Sequence, residues 1–282
     1  ENIDFDPHRL EEIRERITKI KGLVKKYGSF ENIFSKKKEL EDALTYMDKY
    51  DDEIIRLKME IKKRQSSLGN TASVLSQKRK TAAENMSGLV PQILKELGID
   101  EAKFEVLISR RKAVENTSEK VTAETEGEFF EANPRGIDFV EFLISTNAGE
   151  PPRPIKDIAS GGEISRVMLA IKTIAAGSDR LPMLVFDEID SGISGRIGRK
   201  VGTAMKELAK NHQIIAVTHL PQIAALSDIH VSVRKRTAEG NTFIEAFIYK
   251  GNDKINEVAK LISGDDISET AFETAKELVE YP

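Results

Sequence analysis

The chain has 282 residues, 43 Lys+Arg against 47 Asp+Glu, a net charge near −4, and 39% hydrophobic against 32% charged residues. That balance predicts a long solvated helical segment beside a packed domain. The absence of Cys excludes disulfide scaffolds and cysteine nucleophiles, four scattered His give no zinc spacing, and no apolar run is long enough to span a membrane.

The sequence opens at Glu1 with neither an initiator Met nor a signal peptide, which predicts a portion of a longer cytoplasmic protein. From Pro7 to Tyr27 the apolar residues Leu10, Ile13, Ile17, Ile20, Val24 and Tyr27 alternate steps of three and four, the seam of a coiled coil. Asp6 before Pro7 is an N-cap, and Gly28-Ser29 ends the helix. A second helix is predicted from near Ser35 to about Val90, with Met47, Ile54, Ile61, Leu68, Leu75, Ala82 and Leu89 recurring at heptad spacing. Its companion positions are mixed, so the packing partner is expected to be loose or partly absent. A helix of about 55 residues is about 80 Å long and is expected to project as a stalk, with Gly69-Asn70 and Gly88 as points where it bends or breaks.

Within this stalk, between Ile54 and Ala83, Arg56, Lys58, Lys62, Lys63, Arg64, Lys78, Arg79 and Lys80 face a single acid, Glu60. Two readings stay open: a solvated coiled-coil surface, or a face that tracks DNA phosphates. No aromatic residues interleave with the charges, so base stacking has no support.

After Pro91 the pattern changes. A short helix closes at Leu97, Phe104–Ser109 and Ile137–Ser145 read as strands, and the polar stretch from Lys112 to Asn133 reads as a surface excursion. Helices are predicted over Glu163–Ala176, Ser194–Lys210, Asn256–Ile262 and Ser268–Glu280. Leu181–Phe186 and Gln213–Thr218 read as buried parallel strands, and Ile229–Arg234 with Phe243–Tyr249 as a hairpin around Glu239-Gly240-Asn241. Strands alternating with helices predict an α/β fold with a mainly parallel sheet.

Three motifs carry chemistry. Ser160-Gly161-Gly162-Glu163 opens a helix whose unpaired N–H groups and Ser hydroxyl suit an anion, although an ordinary capped helix begins the same way. Asp187 and Glu188 end an apolar strand, where Asp187 could hold Mg²⁺ and Glu188 could orient a water, although acids are common at strand ends. His219 ends a second such strand and could donate to a phosphate, or could be satisfied structurally.

Taken in order, these motifs with Asp190-Ser191-Gly192-Ile193-Ser194 between them resemble the ABC-type ATPases, and the stalk resembles their SMC-like branch. Ala159 stands where most ABC proteins have Leu. The runs Asp6-Pro-His-Arg-Leu, Lys25-Lys-Tyr-Gly, Ala159 to Ala170, Phe186 to Gly195 and Thr218 to Ala225 are similar to the bacterial DNA repair family RecN, in which Ala at that position is usual. The resemblance implies the C-terminal lobe of an ABC/SMC-type ATPase head with a projecting antiparallel coiled-coil stalk, residues 1–90 being stalk and 91–282 head. It also implies the following roles. Ser160, Gly161, Gly162, Glu163 and Asp190 would bind ATP, and Asp187 would hold Mg²⁺. Glu188 and His219 would be catalytic.

No Gly-Lys pair occurs anywhere in the chain, so it contains no Walker A loop. The resemblance places that loop in an N-terminal lobe, and implies that this chain alone is inactive. ATP and Mg²⁺ would both need the missing lobe. The implied partners are that lobe, the ends of double-stranded DNA, and a second copy of the head across sandwiched ATP, in a nucleoid-associated setting with no membrane. A different reading keeps the stalk as a non-catalytic tether that bridges DNA or partner proteins.

Overall fold

The computed structural model describes residues 6–113, 120–177, 181–238 and 241–281. The chain divides into two compact units, Glu1–Asn70 with Ala123–Glu126 and Thr71–Thr122 with Gly127–Pro282. Helix α1 spans Pro7–Tyr27 and α2 spans Phe30–Glu96. The sheet elements begin with β1 (Lys103–Arg110), β2 (Thr122–Thr125), β3 (Glu128–Glu131), β4 (Asp138–Ser145) and β5 (Arg153–Pro154). After them come α3 (Gly161–Ala175), β6 (Met183–Phe186), α4 (Gly195–Leu208), β7 (Gln213–Ala216) and α5 (Pro221–Ala224). The hairpin β8 (His230–Ala238) and β9 (Asn241–Tyr249) precedes α6 (Asn252–Ser263) and α7 (Glu269–Glu280).

In the first unit, α1 starts where the Asp6 carboxylate accepts from His8 N at 2.9 Å and Pro7 needs no partner. None of its residues is buried, and its seam from Leu10 to Ile20 faces solvent. The second helix is longer than predicted and runs unbroken through Gly69 and Gly88. The predicted weak point at Gly69 is instead a site of close approach. Gly69 is buried, and a Cβ placed there would lie 1.7 Å from the Glu124 carbonyl oxygen. Hydrogen lets the helix and that backbone touch, so the residue serves packing rather than bending.

The second unit begins inside α2. The helix continues past Pro91 because Val90, Leu94 and Leu97 are fully buried, and packing outweighs the one hydrogen bond lost to proline. These side chains join Phe104 and Ile144 of β1 and β4, Val167, Leu169 and Ala170 of α3, and Val201, Met205 and Leu208 of α4 in one core. A second cluster unites Ala224, Ala225, Ile255, Val258, Ala259 and Ala275, seating α6 and α7 against α5.

The fold is α/β, but the expected mainly parallel sheet is not what forms. β1, β4 and β5 make an antiparallel sheet, with Arg110 opposite Asp138 and Lys103 opposite Ser145. β8 and β9 form an antiparallel hairpin, and β6 with β7 is parallel, Met183 opposite Gln213 and Phe186 opposite Ala216. The Glu239-Gly240 turn expected in the hairpin lies outside the described residues. The polar stretch after Lys112, read as an excursion, contains β2 and β3, two strands too short and too rich in Thr and Glu to show an apolar alternation. β6 and β7 were expected to be buried on both faces. Instead Met183, Val185, Ile215 and Val217 on one face are 45–64% exposed, because α3 and α4 cover only the other. Among the described residues no helix is long and apolar enough to cross a membrane.

Candidate functional site

The parallel pairing of β6 and β7 brings their C-terminal ends side by side, where ligands of α/β sheets bind. Val217 N donates to the Phe186 carbonyl at 3.0 Å, extending the ladder to the point where both strands release their polar residues. Asp187 and Glu188 therefore leave one strand beside Thr218 and His219, which leave the other.

Helix α3 docks on the same edge. Ser160 is its N-cap, and its Oγ accepts from Glu163 N at 3.4 Å. Such a cap is worth about 1 kcal/mol. The Glu163 side chain does not fold back on the cap, and its Oε2 accepts instead from Thr146 Oγ at 2.9 Å. Ser160 and Gly161 are exposed, while Gly162 is buried. Ser165 Oγ donates to the Asp187 carbonyl at 2.7 Å. Arg166 is 5% exposed and donates from Nη1 to the carbonyls of Ile189 at 3.3 Å and Ser191 at 2.8 Å. Burial pushes its guanidinium below the ordinary arginine value, against the opposing field of Glu163.

Glu188 takes a left-handed backbone conformation, φ 55°, which a non-glycine residue adopts at a cost of order 1 kcal/mol or more. Its N–H donates to Asp187 Oδ1 at 2.9 Å, and its carboxylate lies against Gly161, where a Cβ would meet Oε2 at 2.4 Å. The turn at Ser160 and the acid pair after β6 are thus in contact.

Asp190 anchors the other strand end. Only 3% exposed, its Oδ2 accepts from Thr218 Oγ at 2.5 Å, His219 N at 2.8 Å and Leu220 N at 3.3 Å, and lies 3.1 Å from His219 Nδ1. Burial alone would raise this carboxyl, but the Thr218 and His219 hydrogen bonds outweigh it and hold it below the usual carboxylate range. The His219 ring itself is exposed. Ser160, Gly161, Gly162, Glu163, Asp187, Glu188, Asp190 and His219 therefore belong to one continuous cluster, bordered by a cavity of about 290 Å³ lined in part by Thr146, Asn147, Arg153, Asp157, Ser160 and Glu163. Thr218 and Arg166 were not singled out from the sequence. An arginine on the apolar face of α3 was the available signal for Arg166.

For magnesium, Asp187 offers one exposed carboxylate with one oxygen already accepting from Glu188 N. Among the described residues no three acids or imidazoles converge as a metal cage. A single exposed carboxylate such as Asp187 suits an ion which keeps its waters and takes one or two carboxylates beside substrate phosphates.

Arg56 pairs with Glu53 and Arg64 with Glu60, Lys58, Lys62, Lys63, Lys78 and Lys80 are exposed, and Arg79 bonds to the buried Asp138.

No protein-family profile matches the chain. Against curated proteins it is 32% identical over 280 residues to the DNA repair protein RecN of Bacillus subtilis, covering 99% of this chain and 48% of that protein. With RecN of Treponema pallidum the identity is 35% over 280 residues, covering 99% and 47%. Among solved structures, the Smc head domain with a coiled coil and joint from Pyrococcus yayanosii is 18% identical with a TM-score of 0.45, covering 93% of this chain and 44% of that one. The chain spans about half the length of the curated relatives it matches.

Proposed function

The chain is homologous along 99% of its length to RecN DNA repair proteins, and from that premise we propose that it is the C-terminal half of an SMC-like DNA repair ATPase. In this reading residues 1–90 are stalk and residues 91–282 the second lobe of the head. The observation that carries it is the contact between the Ser160–Gly162 turn, the Asp187-Glu188 pair and the Asp190–His219 pair on one sheet edge.

Each residue has a task in hydrolysis of ATP. Ser160 Oγ and the free amides of Gly161 and Gly162 grip the terminal phosphate of a nucleotide held by a second copy, as a helix start grips an anion. Glu188 accepts a proton as water attacks the γ-phosphorus, and the bond to the ADP oxygen breaks. His219 donates to a γ-phosphate oxygen, and Asp190 holds the ring through Nδ1 and the strand end through Thr218. Asp187 would hold Mg²⁺, whose positive charge would offset that of the phosphates.

The chain carries no phosphate-binding lysine loop, and Asp187 and Glu188 alone would repel a triphosphate. The exposed apolar face of β6 and β7 supports docking of a further lobe that supplies the lysine, since parallel strands are covered on both faces in stable folds. DNA ends and a second head across sandwiched ATP are the partners in this reading.

The test mixes this chain with the other half of a RecN relative and follows phosphate release. Hydrolysis should be at background for the chain alone and return on mixing. Glu188→Gln should lower turnover by about 10²–10⁴-fold while ATP binding survives. Full turnover by the chain alone, or unchanged turnover in the Gln variant, rejects the assignment.

A further inference from the structure

Strand β4 is clamped at both ends, and the two clamps belong to different parts of the second unit. At its start the Asp138 side chain is completely buried. Oδ1 accepts from Ser76 Oγ at 2.7 Å and Arg110 Nε at 3.3 Å, and Oδ2 accepts from Arg79 Nη1 at 3.0 Å. Arg110 Nη2 also donates to Ser76 Oγ at 2.8 Å, and Arg79 Nη2 to the Arg135 carbonyl at 2.7 Å. Ser76 and Arg79 sit three apart on one face of α2. At the far end, Thr146 follows Ser145 and donates to Glu163, whose own N–H closes the cap on Ser160.

We infer that Asp138 is a positioning residue, which ties α2 to the Ser160–Gly162 turn through β4 and the Thr146–Glu163 hydrogen bond. Its meaning for catalysis rests on the proposed reading of that turn as a phosphate grip.

Three properties make the connection stiff. A buried carboxylate has no water to replace a lost partner, so α2 cannot slide along β4 by a fraction of a turn without stranding charge. An apolar contact, being non-directional, would permit that slippage. Strand β4 cannot slip on β1 either, because eight consecutive residue pairs hold the register and a one-residue shift would turn Phe142 and Ile144 to the opposite face. A displacement of α2 against the sheet is therefore delivered about 26 Å away, at Thr146. There it reaches Glu163, whose side chain accepts from Thr146 while its backbone N–H closes the cap on Ser160.

The experiment is amide hydrogen exchange on the 282-residue chain without nucleotide, so its outcome is separate from whether the turn binds phosphate. The amides of Glu163 and Ile164, which donate to Ser160 Oγ and O, are the readout. Asp138→Asn and Thr146→Val should each speed their exchange by about tenfold, leaving the ladder amides of β6 and β7 unchanged. Asp138→Asn should also speed exchange in α2 around Ser76, and Thr146→Val should not. Ser76→Ala, a milder change, should move the same amides in the same direction. Unchanged Glu163 and Ile164 exchange in both Asp138→Asn and Ser76→Ala overturns the inference. So does an equal acceleration across β6 and β7, which would mark a general loss of stability.

Discussion

Gly161 faces Glu188 so closely that a methyl group on it would overlap the Glu188 carboxylate, at 2.4 Å from Oε2. The next residue meets backbone instead: a Cβ on Gly162 would lie 2.9 Å from the Ser191 carbonyl oxygen and 3.0 Å from that of Glu188. The tip of a glutamate can swing aside, whereas the Ser191 carbonyl, held by Arg166, and the Glu188 carbonyl, held by Ser191 N, cannot. Gly161→Ala should therefore change stability by no more than about 0.5 kcal/mol. Gly162→Ala should cost about 1–3 kcal/mol, even though alanine favours the helix by up to about 1 kcal/mol. Urea unfolding of the two variants gives the comparison, and equal or reversed losses would contradict the packing described.

Gly69 offers a sharper opposition between propensity and packing. In an isolated helix Gly69→Ala would stabilise by about 1 kcal/mol. Here the new methyl would lie 1.7 Å from the Glu124 carbonyl oxygen, so one backbone must retreat from the other. The variant should lose about 1–3 kcal/mol. Gly88, which has open space at its Cβ position, serves as the control, and Gly88→Ala should gain stability. Thermal unfolding of the pair separates the two effects, and a gain in both would show that Glu124 does not press on the helix.

What the sequence displays and what it hides follow from the range of the interactions involved. The Ser160-x-x-Glu163 cap, the apolar runs of β6 and β7 and the heptad steps of α2 are local patterns, and each produced the expected element. Gly69 reads as a weak point because propensity scales know nothing of Glu124. Met183 and Val185 read as buried because an apolar run does not say how many of its faces are covered. Arg166 and Asp138 were silent for the same reason: their partners lie 23–25 and 28–62 residues away. Asp190 was placed by motif order as a nucleotide contact, and the structure gives it a structural task as well, since its carboxylate is occupied by Thr218, His219 and Leu220.

Acid should expose how much the buried carboxylates contribute. Burial would raise the Asp138 carboxyl, but hydrogen bonds from Ser76, Arg79 and Arg110 overcome this and hold it below its usual range. A carboxylate depressed in the folded state stabilises fully above its unfolded value of about 3.9, and that contribution fades as pH falls through the folded value. Asp138→Asn removes the charge and leaves Arg79 and Arg110 without it, though both keep about a quarter of their side chains in water. At neutral pH the variant should lose about 2–4 kcal/mol, near the lower part of the range for broken buried pairs. The gap between the two proteins should then shrink as pH drops below about 4, because protonation does to the parent what the substitution has already done. Urea midpoints measured at neutral pH and again near pH 3 report the gap directly. A gap that stays constant would mean that the Asp138 carboxyl binds its proton equally well in the folded and unfolded chains, so that its partners do not favour the ionised form.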